Sequence, residues 1–175
     1  MNKSLKFSLG LSFILLFIVG LFLGVGLFQE AKYSNSVSES MEIPASEIWN
    51  YLLAIEEMPI RRKEVVKVEI IEKDQKQLPL VWKEITDMGG YMLFKRGVTI
   101  PEQKLEIILY ESSYKMRGTW TYEIVEKEGL TTVTIKEDSE IFSPVIRGAY
   151  FLAGRDSTLL QEMSMLRNHF KNRIQ

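Results

Sequence analysis

Several predicted strands carry charged or tyrosine side chains at alternate positions. These side chains could take part in ligand binding or catalysis. Glu84, Arg96 and Tyr122 share the parity of large apolar residues, and Glu137 joins them from the last predicted strand. Isolated charges in an apolar pocket are costly unless they are paired. A carboxylate near Arg96 or Arg147 could orient the polar head of a ligand, or act as a general acid or base with a shifted pKa. The alternatives are a solvated position at an open rim and a structural ion pair.

Apolar residues of the same parity predict the walls of a pocket, although aromatic side chains in such positions also form plain hydrophobic core. The candidate ligand-binding residues are Trp82, Glu84, Phe94, Arg96, Ile107, Trp120, Tyr122, Glu137 and Tyr150. We assign none of them a catalytic role, because the sequence contains no nucleophile elbow, phosphate-binding loop, paired-histidine zinc motif or acidic calcium loop.

The amino-acid composition excludes several kinds of functional site. The chain of 175 residues contains no cysteine, which excludes disulfides, a thiolate nucleophile and metal sites built on sulfur. A single histidine, His169, argues against a histidine-rich metal site, so we expect no metal and no other cofactor. The formal net charge of −1 gives no indication of a nucleic-acid partner.

The apolar stretch near the N-terminus predicts a membrane anchor. Residues 7–28 contain no charge, and at about 1.5 Å per residue they would span about 33 Å, enough to cross the hydrocarbon core. Lys3 and Lys6 lie near its start, so the positive-inside rule predicts a cytoplasmic N-terminus and an extracytoplasmic C-terminal domain, held in the cell membrane by a single-pass anchor. The rival interpretation is a cleaved signal peptide, whose apolar region is normally about 7–15 residues long.

Gly20 and Gly24 within this stretch have the spacing that lets two membrane helices approach closely. A homodimer through this pair is one hypothesis, and glycines that simply face lipid are the other. We divide the chain into a cytoplasmic N-terminus (1–6), a transmembrane anchor (7–28), a linker (29–35) and a folded domain (36–173).

The folded domain is predicted to contain an antiparallel sheet. A first strand is expected at 36–43, and a helix begins near Pro44. From Val65 onward apolar residues alternate with polar ones, and turn residues separate the runs. Strands joined by tight turns form a meander, and clean alternation indicates one buried face. We therefore predict an α+β domain with six to seven strands.

The terminal segment predicts the helix that covers the buried face of this sheet. Pro144 suits the first turn of a helix. The apolar stripe that follows consists of Ala149, Leu152, Leu159, Met163, Leu166 and Phe170. One helix within 143–173, of roughly 28 residues, would be a rod of about 40 Å, long enough to lie across the sheet and enclose a cavity.

Four segments carry a resemblance to a known family. They are EIPASEIW at 42–49, WKE at 82–84 with the glycine pair at 89–90, GTWTY at 118–122 with GLTTVTIKE at 129–137, and Ser143-Pro144 before the terminal helix. In this order they resemble the START-like SRPBCC superfamily, particularly its polyketide cyclase/dehydrase-like branch, over about residues 36–170. The resemblance implies a helix-grip fold, in which a curved sheet wraps around a long C-terminal helix. It also implies a hydrophobic cavity that often holds a lipid, sterol, polyketide or similar molecule.

One departure from the family falls after the first helix of the domain. Family members often carry a tryptophan there, following a proline. In this chain Pro59 is followed instead by Ile60, Arg61 and Arg62. The resemblance therefore implies the fold more strongly than any particular ligand.

Three hypotheses on function follow, because one fold serves many functions. The favoured one is a membrane-anchored, non-enzymatic domain that binds a small hydrophobic molecule or lipid between the sheet and the terminal helix. The second is a cyclase- or dehydratase-like enzyme that uses Glu84 or Glu137 with a tyrosine. The third is a structural or sensory module that binds a protein partner and fills the cavity with its own side chains.

Overall fold

A seven-stranded sheet and five α-helices make up the part of the chain that the structure describes. The computed structural model describes residues 3–171, and the side chains of residues 3–9 and 11 lie outside that description. The elements are α1 (Lys3–Leu27), β1 (Lys32–Met41), α2 (Ala45–Leu53), a 3₁₀ turn (Ile55–Glu57), α3 (Met58–Arg61), β2 (Val65–Lys73), β3 (Pro79–Thr86), β4 (Tyr91–Ile100), β5 (Lys104–Ser112), β6 (Met116–Lys127), β7 (Leu130–Ile141), α4 (Pro144–Ala153) and α5 (Ser157–Lys171).

The sheet is antiparallel throughout, which confirms the predicted α+β class. Its strand order is β1-β7-β6-β5-β4-β3-β2. From β2 to β7 each strand pairs with the next one along the chain, and β1 pairs with β7 at the far edge. The first strand begins at Lys32, inside the segment predicted as a linker at 29–35.

Alternation along the strands buries one face of the sheet, as the sequence indicates. In β7 every second residue from Thr131 to Ile141 is buried, including Val133 and Ile135 at the centre. Helix α5 contributes the opposite side of the core with Leu159, Leu166 and others. The interior therefore lies between the sheet and α5, with α2 at one end.

The terminal helix is not one rod, and here the prediction of a single helix over 143–173 is wrong. Helix α4 ends at Ala153, and α5 begins at Ser157. Gly154 between them has φ of +92°, a conformation that glycine adopts without steric cost and that stops a right-handed helix. The apolar spacing continues across this break, so periodicity alone could not locate it. At 1.5 Å per residue the two helices are about 15 and 22 Å long, and the prediction extends past the last described residue.

The N-terminal helix α1 is joined closely to α4. A Cβ atom added to Gly26 would overlap the carbonyl group of Pro144, and one added to Gly148 would overlap the carbonyl group of Phe22. The guanidinium of Arg147 also donates to the carbonyl oxygen of Gln29 at 3.2 Å. The two backbones thus touch at a crossing where only glycine fits.

The predicted anchor at 7–28 falls mostly within α1, and part of its side chains lie outside the described residues. In the part of the chain that the structure describes, no helix combines the length and apolarity needed to cross a membrane. A Cβ atom at Gly20 or Gly24 would meet no other atom within 4 Å. Of the predicted cytoplasmic segment 1–6, residues 1 and 2 are outside the described residues.

Candidate ligand-binding site

A cavity of about 220 Å³ lies between the inner face of the sheet and the terminal helices. Seven of the nine predicted residues line it: Trp82, Glu84, Phe94, Ile107, Trp120, Tyr122 and Tyr150. The other lining residues are Met58, Arg62, Glu64, Val65, Met92, Met116, Thr158, Gln161 and Glu162. Three larger hollows, of about 730, 620 and 250 Å³, are more open clefts with several charged residues at their walls. The smaller cavity is the better candidate, because buried apolar groups line it and a few polar groups converge on it.

Aromatic rings form one wall of this cavity. Strand pairing sets Trp82 directly opposite Phe94 and Ile107 opposite Trp120. The rings of Trp82 and Phe94 stack with centroids 5.6 Å apart, and Trp120 meets Phe94 edge-on at 6.4 Å. Both arrangements are favourable for aromatic quadrupoles. The alternating pattern of β3, β4 and β6 thus places three aromatic rings on one wall, with Ile107 of β5 between them.

A group of charged and polar side chains also lines the cavity. The guanidinium of Arg62, the residue just after α3, forms an ion pair with the carboxylate of Glu162 on α5. Glu84 on β3 is 2% exposed, and its Oε1 accepts a hydrogen bond from Nε1 of Trp82 at 3.1 Å. Its Oε2 is buried and has no hydrogen-bond partner among the described residues. A buried polar atom without a partner is uncommon and calls for an explanation.

The pKa shifts in this group follow from burial and from the ion pair. Burial raises the pKa of Glu84, and the positive charge of Arg62 partly opposes that shift. The carboxylate of Glu162 raises the pKa of Arg62, which keeps the guanidinium charged. Burial, followed by the charge of Glu162, raises the pKa of Tyr122 well above its usual range, so this phenol stays protonated.

A second polar cluster lies where α4, α5 and β7 meet. Glu137 is fully buried, and the hydroxyl groups of Tyr150 and Thr158 each donate to its carboxylate at 2.9 Å. These two hydroxyl oxygens are 2.7 Å apart. Burial and the charge of Glu137 raise the pKa of Tyr150, so this phenol remains a donor. The cluster fastens both terminal helices to the sheet behind the wall of the cavity.

Two predicted residues lie outside the lining. Glu137 is covered by Tyr150 and Thr158, which stand between it and the cavity. Arg96, in the middle of β4, forms an ion pair with Asp74 in the turn between β2 and β3. It lies next to the point where the pairing of β4 with β5 shifts register. Equal parity along a strand therefore did not suffice to place a side chain in the cavity.

Sequence reasoning missed the ion pair and the methionines of the lining. Glu162 lies three residues after Leu159 and four before Leu166, so its spacing placed it on the buried stripe of α5. Arg62 occupies the region where the resembling family often has an aromatic residue. Met92 shares the parity of Phe94, a signal that could have added it to the list.

Within residues 3–171, no three histidine, aspartate or glutamate side chains are placed to hold a metal ion together. The polar groups that a ligand in the cavity could contact include the carboxyl of Glu84, the Arg62–Glu162 pair and the phenols of Tyr122 and Tyr150.

Neither protein-family models nor curated protein sequences match this chain. Solved structures do resemble it. The Zhui aromatase/cyclase from Streptomyces sp. R1128 matches with a TM-score of 0.68 and 12% identity over 82% of this chain and 96% of that one. A START superfamily protein from Mycobacterium smegmatis matches with a TM-score of 0.65 and 16% identity, covering 79% and 97%. The chain has a START-like fold. At these identities the similarity establishes the fold and leaves activity open.

Proposed function

We propose that this START-like chain binds one small, mostly apolar molecule in its inner cavity and does not transform it. The observation that carries the proposal is the aromatic-walled cavity with one buried carboxyl oxygen, Oε2 of Glu84, that has no hydrogen-bond partner among residues 3–171. Apolar pockets with a few convergent polar groups are the usual form of small-molecule sites. The fold of the solved relatives is compatible with this proposal.

The volume of the cavity limits the size of the ligand. Typical pockets for drug-sized molecules measure roughly 300–1,000 Å³, and a dry cavity of about 150 Å³ accommodates benzene. At about 220 Å³ the cavity suits a molecule of one ring or two small rings. We therefore expect the ligand to be a compact molecule rather than a lipid of any size.

The arrangement of the ionisable groups favours binding over catalysis. Arg62 and Glu162 neutralise each other, and both phenols are held protonated. One observation favours the second candidate, a cyclase- or dehydratase-like enzyme: the pKa of Glu84 is raised by burial, which suits a general acid or base. Turnover that Glu84→Gln abolishes would establish that second function.

Binding can be tested with a variant that fills the cavity. The full-length chain in lipid nanodiscs would be titrated with one-ring aromatic compounds, following the fluorescence of Trp82 and Trp120. Ile107→Trp places a large ring inside the cavity, and Ile108→Trp places the same ring on the opposite face of β5. We expect the first variant to lose binding and the second to retain it. Equal binding by both variants, with native circular dichroism, would refute the cavity as the site.

We further propose that the chain is a single-pass protein of the cell membrane, with its folded domain outside the cytoplasm. The sequence supports this proposal through 22 uncharged residues at 7–28 and through lysines at their N-terminal side. The chain lacks cysteine, so one introduced thiol reports on its own position. In intact cells a membrane-impermeant maleimide should label Lys127→Cys, and should label Asn2→Cys only after lysis. The reverse pattern would overturn the orientation.

A further inference from the structure

Resting on the proposed binding function, we propose that the ligand is a small organic ammonium. It would have a compact aromatic or alicyclic body, and its cationic nitrogen would pair with the carboxylate of Glu84. Three independent features of the cavity support this class of ligand: the state of Glu84, the balance of charge in the lining, and the aromatic wall.

The first feature is the free oxygen of Glu84. Oε1 of this carboxyl is used by Trp82, whereas Oε2 is buried without a partner among the described residues. A buried carboxylate that lacks a partner carries a large desolvation penalty. A ligand that brings an N–H donor and a positive charge removes both the missing hydrogen bond and the missing counter-charge.

The second feature is the charge of the lining. It contains one guanidinium, Arg62, and three carboxyl groups, those of Glu64, Glu84 and Glu162. Arg62 is paired with Glu162. Glu64 is exposed at the mouth and accepts a hydrogen bond from Gln161 at 3.0 Å. Glu84 is therefore the buried carboxyl of this lining that has no ion-pair partner among residues 3–171, and the lining as a whole favours a cation.

The third feature is the aromatic wall beside this carboxyl. Trp82 lies two residues from Glu84 on the same face of β3, and its ring stacks on Phe94. Trp120 completes the wall. Aromatic faces attract cations, most strongly when both partners are shielded from water, and aromatic cages are a recurrent means of binding organic ammonium groups. A neutral ligand would use the apolar area of this wall but not its electrostatic attraction.

The test compares four ligands of nearly equal size on the full-length chain in nanodiscs, with empty nanodiscs as the blank. They are 2-phenylethylamine, 2-phenylethanol, ethylbenzene and 3-phenylpropionate, titrated by calorimetry. We expect the amine to bind at least about tenfold more tightly than the alcohol, since a charge-assisted hydrogen bond replaces a neutral one. The acid should bind least tightly.

Variants identify the group responsible. Glu84→Gln should weaken binding of the amine about tenfold or more and leave ethylbenzene unchanged, whereas Glu72→Gln, at an exposed position of β2 outside the cavity lining, should change amine binding by less than about threefold. If Glu84→Gln does not fold, as judged by circular dichroism, the order of affinity of the four ligands for the wild-type chain still tests the proposed ammonium class.

The outcomes separate the two proposals. Equal affinity for the amine and the alcohol, or stronger binding of the acid, would overturn the ammonium class and leave the binding function standing. Failure of all four compounds to bind would overturn the binding function and the ammonium class together.

Discussion

The ion pair between Arg62 and Glu162 gives a prediction that can be worked out from its surroundings. The side chain of Glu162 is only 5% exposed, and that of Arg62 is 26% exposed. Removing the guanidinium with Arg62→Met leaves a buried carboxylate without its counter-charge. Breaking a buried pair in this way costs about 3–5 kcal/mol. Because Arg62 retains some contact with water, we expect the lower end, about 3 kcal/mol.

The assay is thermal unfolding of the full-length chain, followed by tryptophan fluorescence. For a chain of this size 1 kcal/mol corresponds to roughly 2–4 °C in Tm, so Arg62→Met should lower Tm by about 6–12 °C. Arg167→Met is the matched control, because Arg167 forms a more exposed pair with Glu39 at 3.1 Å. An exposed pair contributes less than about 1 kcal/mol.

A double variant tests the cause of the loss. Adding Glu162→Gln to Arg62→Met removes the unpaired charge, so we expect it to recover more than half of the lost stability. If Arg62→Met were no more destabilising than Arg167→Met, or if the second substitution deepened the loss, the assumption of a buried, mutually dependent pair would be refuted.

Three further predictions use the same unfolding assay. The pKa of Glu84 lies above its ordinary value because burial disfavours the charge, so the folded chain holds this proton more tightly than the unfolded chain. Stability from this group is present at low pH and is lost as the pH rises through the folded pKa. Tm of the wild type should therefore fall relative to that of Glu84→Gln as the pH rises from about 4, the ordinary range of a glutamate pKa, and a Tm difference that does not change with pH would contradict this. Gly148→Ala should lower the free energy of unfolding by about 1–3 kcal/mol, because the added Cβ overlaps the backbone of α1. Gly24→Ala, with open space around it, should not destabilise the chain. Equal effects of the two substitutions would argue against the close crossing of α1 and α4. Tyr150→Phe removes a hydrogen-bond donor to the fully buried carboxylate of Glu137 and should lower the free energy of unfolding by about 1–3 kcal/mol. Tyr110→Phe, at an exposed position, should lower it by less than about 0.5 kcal/mol. Similar values would mean that the hydroxyl of Tyr150 is solvated.

Strand periodicity predicted the sheet and which of these side chains share one face, because both depend on the same alternation. Trp82, Phe94, Ile107 and Trp120 lie on successive strands whose tight turns fix the register, so parity determined which side they face. Arg96 has the same parity but lies next to a register shift between β4 and β5, and it pairs with Asp74 in a neighbouring turn. A register shift and a partner from another turn are tertiary properties that parity does not contain.

The break in the terminal helix and the Arg62–Glu162 pair were harder to predict. Gly154 was visible in the sequence, but a glycine inside an apolar periodic run is compatible with a continuous helix at a cost of about 1 kcal/mol. Arg62 and Glu162 are separated by 100 positions in the chain. Only the folded arrangement of α3 and α5 brings them together, and no local pattern encodes that contact.

The glycine crossing between α1 and α4 has a mechanical consequence. Because Gly26 and Gly148 let the two backbones touch directly, the helices cannot slide past each other without a steric clash. Tyr150 lies on α4, at the wall of the cavity and within reach of Glu137. A tilt of α1 would therefore be transmitted through α4 to Tyr150 and so to the wall of the cavity.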